Sequence, residues 1–119
     1  MILNKLTPIL YTNNMQQTLE FYEHFFGFTC TTSNNDLSWA KIINKDIELM
    51  ISKPVQSICF NEAIFTGSFY FNTDNVDEIW EAVKHKLKIC YPVNNFEYGM
   101  REFGVFDNNG YLLQFGQVI

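Results

Sequence analysis

An α+β fold built from two βαβββ modules is predicted by three features of the chain. The succession strand, helix, three strands occurs twice, over about residues 1–58 and 66–119. Apolar residues recur at helical spacing in the helix-sized segments and alternate in the strand-sized ones. The stretch Tyr98 to Gln117, YGMREFGVFDNNGYLLQFGQ, reads as two alternating strands around Asp107-Asn108-Asn109-Gly110, residue types that tolerate the backbone of a tight hairpin loop. No linker, low-complexity run or charge block divides the 119 residues. A single domain, 1–119, is therefore predicted, with the two modules burying their sheets together.

In the first module, Leu6 to Thr12 alternates as a strand. Asn13 or Asn14 caps the helix that follows. Met15, Leu19, Tyr22 and Phe26 share one face of that helix, and Gly27 ends it. Phe28–Thr32, Leu37–Ile43 and Asp46–Ser52 complete the module, the last two joined by a two-residue turn at Asn44-Lys45. In the second module, Ser68–Thr73 is an aromatic-rich strand. Asp74 or Asn75 caps a helix from about Val76 to Lys86, whose apolar stripe is Val76, Ile79, Trp80, Val83 and Leu87. Lys88–Tyr91 is a short strand, Pro92–Glu97 a loop, and the hairpin follows.

Turn placement sets register, and register sorts side chains between faces. Around Asn44-Lys45, Lys41 is predicted opposite Glu48 and Trp39 opposite Met50. Ala40, Ile42, Ile47, Leu49 and Ile51 then share an apolar face that belongs beneath a helix. Around Asp107–Gly110, Phe106 is predicted opposite Tyr111, Val105 opposite Leu112 and Phe103 opposite Gln114. The second, mixed face collects Thr7, Ile9 and Tyr11 from the first strand and Trp39, Lys41, Glu48 and Met50 from the hairpin. From the second module it takes Ser68, Tyr70 and Asn72, then Arg101, Phe103 and Val105, then Leu112 and Gln114. Aromatic rings punctuated by isolated polar groups are the composition of a small-molecule pocket.

Bulk properties exclude several classes. The net charge of −5 and a pI near 4.8 oppose a nucleic-acid surface, which needs to be basic. The chain has no apolar run long enough to span a membrane, and Met1 to Thr7 lacks the length and flanks of a signal peptide. Three widely spaced cysteines, Cys30, Cys59 and Cys90, form no CxxC. They are expected as small buried or half-buried thiols in a reducing cytoplasm.

Several segments carry a family resemblance along nearly the whole chain. They are Asn14-Met15-Gln16-Gln17-Thr18-Leu19-Glu20-Phe21-Tyr22, the helix end Phe26-Gly27-Phe28, Thr73-Asp74-Asn75-Val76, and Asp107-Asn108-Asn109-Gly110-Tyr111. In this order and spacing the chain resembles the vicinal oxygen chelate superfamily of glyoxalases, extradiol dioxygenases and bleomycin-resistance proteins. Its ending looks most like the bleomycin-resistance branch. The resemblance implies a curved mixed sheet around a groove, and a homodimer. Metal-dependent members place one ligand on each of four strands, and carried over by motif those positions are Thr7, Glu48, Ser68 and Gln114. Only Glu48 keeps a metal-binding carboxylate; hydroxyls and a neutral amide are poor ligands for a divalent transition metal. His24 and His85 fall in or near the helices, away from the mixed face.

The expectation is therefore a metal-free, cofactor-free cytoplasmic homodimer that sequesters a small, planar or cationic molecule, in the manner of antibiotic-resistance proteins of that branch. The alternative is a lyase, isomerase or dioxygenase-type enzyme with a non-standard site using Glu48. Both uses of several residues stay open in the sequence. Glu48 is either a base or a cross-strand partner of Lys41. Arg101 either holds an anionic group or forms a salt bridge. Trp39, Tyr70, Phe103 and Tyr11 either stack on a ligand or pack at a subunit interface.

Overall fold

Helix α1 (Met15–Phe26) begins and ends where its local signals lie. Asn14 adopts an extended backbone, and its side chain accepts the Gln17 N–H at 3.0 Å. Such a cap contributes about 1 kcal/mol. Gly27 closes the helix in the left-handed region, at φ 68°, where a side chain would be strained. The computed structural model describes residues 1–55 and 58–119; the predicted first module, 1–58, ends across the two residues left out. The chain divides into two compact units, Met1–Glu62 and Ala63–Ile119.

The first unit carries strands β1 (Ile9–Tyr11), β2 (Thr29–Ser33), β3 (Trp39–Asn44) and β4 (Ile47–Ser52). Their order is β1-β4-β3-β2, with β1 parallel to β4 and the other pairs antiparallel. The β3–β4 turn is Lys45-Asp46, one residue later than predicted, because Asn44 still pairs with Ile47. Asn44 is held in the strand by its side-chain amide, which donates to Phe26 O at the end of α1 (2.7 Å). Lys41 now faces Met50, and Trp39 faces Ser52. The pairing changes by two residues, so every side chain keeps its predicted face. Ala40, Ile42, Leu49 and Ile51 are buried, together with Met15 and Tyr22 of α1.

The second unit carries β5 (Phe69–Asn72), α2 (Val76–Val83), β6 (Lys88–Phe96), β7 (Met100–Phe106) and β8 (Leu112–Val118). The strand order is β5-β8-β7-β6, with β5 parallel to β8. The α+β class and the βαβββ order of both modules are as predicted. Helix α2 is shorter than expected. Its first N–H, that of Val76, is taken by Gln117 Oε1 of β8 (3.0 Å), and no side-chain cap comes from Asn75. The predicted short strand and all but the last residue of the predicted loop form one strand, β6, with two irregularities in its pairing to β7. As an edge strand it tolerates Pro92, which has no N–H to give a ladder.

The β7–β8 hairpin corrects the predicted register. Phe106 pairs with Leu112, Val105 with Leu113, Gly104 with Gln114 and Phe103 with Phe115. The loop has gained Tyr111. The buried Asp107 carboxylate accepts the N–H groups of Asn109 (2.8 Å) and Tyr111 (2.9 Å), and Asp107 N donates to Tyr111 O. A one-residue change exchanges the faces of one strand relative to the other. Phe103 and Val105 therefore leave the mixed face and are fully buried. Phe103 stacks on Phe115 at 5.2 Å and meets Trp80 of α2 at 5.2 Å. Arg101 follows them. Its guanidinium pairs with Asp77 in the first turn of α2 (2.8 Å) and donates to Asn95 (3.0 Å), so it makes the salt bridge rather than facing Gln114.

The cysteines also differ from expectation. Cys30, Cys59 and Cys90 are all free and exposed.

Candidate functional site

With the register corrected, Glu102, Gly104 and Phe106 share the sheet face of Leu112, Gln114 and Gly116, and Tyr70 joins them opposite Gln114. Glu102 was not singled out in the sequence, yet it is the centre of this face. It is only 3% exposed. Its Oε1 accepts the hydroxyls of Tyr70 (3.1 Å) and Tyr98 (2.5 Å), and its Oε2 accepts that of Tyr91 (2.5 Å). Gln114 donates to the Tyr91 oxygen (2.8 Å) and accepts from Ser68. One hydrogen-bonded chain thus runs from Ser68 through Gln114 and Tyr91 to Glu102.

Two glycines admit the rings. A Cβ on Gly104 would lie 2.5 Å from the Tyr91 ring, and one on Gly116 would lie 1.8 Å from the Tyr70 hydroxyl. Neither glycine is there for a left-handed backbone; each is there because a tyrosine crosses its strand. Phe96 adds an aromatic wall, stacked on Tyr98 at 5.5 Å and edge-on to Tyr91 at 5.9 Å. Asn72 and Gly116 border a separate, open pocket of about 250 Å3 with Thr73 and Asp74.

The carboxylate sets the titration of its donors. Burial, reinforced by the Glu102 bond, pushes the Tyr70 phenol up to about 12 and the Tyr91 phenol higher still. The Glu102 bond, then burial, takes Tyr98 to about 12. A raised folded-state pKa favours folding below the ordinary value of 10.0, and that contribution is lost as pH rises through the folded value. Phenolate absorbance at pH 11 is therefore expected to show these three tyrosines still protonated, and stability is expected to fall between pH 10 and 12. Normal ionisation of all six tyrosines near pH 10 would contradict the cluster.

In the first unit the mixed face holds a smaller polar group. Glu48 Oε2 accepts from Thr7 (3.1 Å) and pairs with Lys5, while Oε1 lies 3.4 Å from Lys41 Nζ. Ile9 pairs with Met50 on this face, and Tyr11 and Trp39 lie opposite or beside Ser52. The Lys5 contact first, then the Thr7 and Lys41 bonds, hold the Glu48 carboxyl below its usual range. A carboxylate with lowered proton affinity is a weaker general base. Glu48 does pair with Lys41, diagonally rather than directly across.

The four positions expected to bind metal in this fold do not suit a divalent ion. Thr7 and Glu48 are bonded to each other, with two ammonium groups on the carboxylate. Ser68 and Gln114 are bonded to each other, and neither carries charge. Among the described residues no group of three or more His, Cys, Asp or Glu side chains gathers as a metal cradle. His24 and His85 are exposed on or just beyond the helices. No described helix is long and apolar enough to cross a membrane.

Two four-stranded mixed sheets, each the product of a βαβββ unit, define a protein class, and comparison agrees. The family model described as Glyoxalase/Bleomycin resistance protein/Dioxygenase superfamily matches residues 2–115, and the chain belongs to that superfamily. Solved structures give the same fold at low identity. A protein of unknown function from Agrobacterium tumefaciens str. C58 has a TM-score of 0.83 at 16% identity, covering 100% of this chain and 97% of its own. TioX from Micromonospora sp. ML1 has 0.78 at 16%, covering 98% and 99%. Lactoylglutathione lyase from Agrobacterium tumefaciens has 0.75 at 17%, covering 96% and 92%. No curated protein matches the chain.

Proposed function

We propose that this chain is a metal-free small-molecule-binding protein of the superfamily, acting by sequestration as in its bleomycin-resistance branch. The observation that carries the reading is that the polar groups at the fold's ligand positions are spent on one another. Thr7 is bound to Glu48, and Ser68 to Gln114. What remains open on the second unit is an aromatic surface with acceptor oxygens, suited to holding a planar or cationic molecule rather than to transforming it. The lowered proton affinity of Glu48 supports binding over proton abstraction. A cytoplasmic homodimer is part of the same proposal, since members of that branch bind in grooves between subunits.

Calorimetric titration with metal-free bleomycin and other planar cations, followed in parallel by tryptophan fluorescence, tests the reading. Saturable heat and a fluorescence change are expected. Absence of both for every planar compound tried would remove it. Elemental analysis tests the metal-free part: unchanged thermal stability in chelator is expected, whereas stoichiometric metal lost to chelator would reverse that conclusion.

A further inference from the structure

We propose that Glu102, Tyr70 and Tyr98 form a subsite for a cationic nitrogen donor of the ligand, an ammonium or amidinium group. The inference rests on the small-molecule-binding reading and names the ligand chemistry at one place on that surface.

The argument starts from donor direction. A carboxylate accepts and cannot donate, so each phenol bonded to Glu102 must spend its only proton inward. The lone pairs left on each phenol oxygen then point away from Glu102. The Tyr91 oxygen also accepts from Gln114 (2.8 Å). The oxygens of Tyr70 and Tyr98 accept from no described group, and their residues are 39% and 62% exposed. Both phenols share Glu102 Oε1. The surface therefore presents two neighbouring acceptors with no donor between them.

Charge points the same way. Glu102 is almost wholly buried, and among the described residues no Lys, Arg or His pairs with it. Three neutral donors satisfy its lone pairs but leave its charge without a counterion. A cation placed against the Tyr70 and Tyr98 oxygens would supply that charge through the phenols, at short range and in partly desolvated surroundings. The rings of Tyr98 and Phe96, stacked at 5.5 Å, add the attraction of aromatic faces for cations. A neutral or anionic group gains none of these terms.

The test uses benzamidine and its neutral counterpart benzamide on the full chain, followed by calorimetry and by NMR shifts of Tyr70 and Tyr98. Benzamidine is expected to bind about tenfold tighter than benzamide, the scale of one charged hydrogen bond. Glu102→Gln keeps size and shape and should remove the preference for benzamidine over benzamide. Tyr98→Phe lies on an exposed turn and retains the ring. It should weaken benzamidine several-fold while the Tyr70 and Tyr91 bonds to Glu102 remain in place, which keeps the test decisive if Glu102→Gln folds poorly. Equal binding of the two probes, or a preference that survives both substitutions, overturns the subsite. If bleomycin still binds saturably in that case, the general reading stands and only the subsite falls. If no planar compound binds, both fall.

Discussion

Replacing Phe103 with alanine is expected to destabilise the protein by about 3–5 kcal/mol, the usual cost of removing a buried aromatic ring. Phe103 is fully buried, stacked on Phe115 and set against Trp80 of α2. The cavity left behind would lie between sheet and helix, where neither can collapse to fill it. Urea unfolding should show a lower midpoint with an unchanged slope. The predicted register, with Phe103 opposite Gln114 on a ligand-facing wall, leads to the opposite outcome: weakened binding at little cost in stability. A loss below about 1 kcal/mol would therefore return Phe103 to the groove and reject the observed pairing.

Gly104→Ala carries the second large effect. The new methyl would meet three atoms of the Tyr91 ring at 2.5–3.2 Å. The ring cannot simply withdraw, because its hydroxyl is tied to Glu102 and Gln114. Forcing such a shift costs about 1–3 kcal/mol. Because the cause is one side chain, a double-mutant cycle isolates it. In a Tyr91→Ala background the same glycine substitution should cost a few tenths of a kcal/mol at most. An equal penalty in both backgrounds would mean that strand geometry, not the tyrosine, requires the glycine.

Much of the fold was legible because its signals are local. Asn14 and Gly27 bracket α1 at the predicted residues, and alternation located most strands. The faces of β3 and β4 survived a misplaced turn because the error moved the pairing by two. The hairpin β7–β8 did not, since the Asp107 carboxylate draws a fifth residue, Tyr111, into the loop. Turn preferences do not encode that bond. The single-residue slip hid Glu102 and put Arg101, Phe103 and Val105 in its place. Tyr70 and Gln114 keep the face assigned to them and pair with each other. Tyr91 and Tyr98 were missed because neither was assigned to the mixed face: Tyr91 lies in β6, whose second half was read as a loop, and Tyr98 lies in the turn between β6 and β7. One signal was available: Gly104 and Gly116 sit in the interior of β7 and β8, and an interior glycine marks close approach of another group.

In each unit the first strand finds its partner in the last, Ile9 beside Met50 and Phe69 beside Leu113. The antiparallel neighbours join through short turns and can zip early, whereas the parallel closing strand must wait until the whole intervening helix and hairpin have been ordered. Folding of each unit is thus limited by one long-range event. A substitution confined to β1 or β5 should therefore slow folding more than it speeds unfolding.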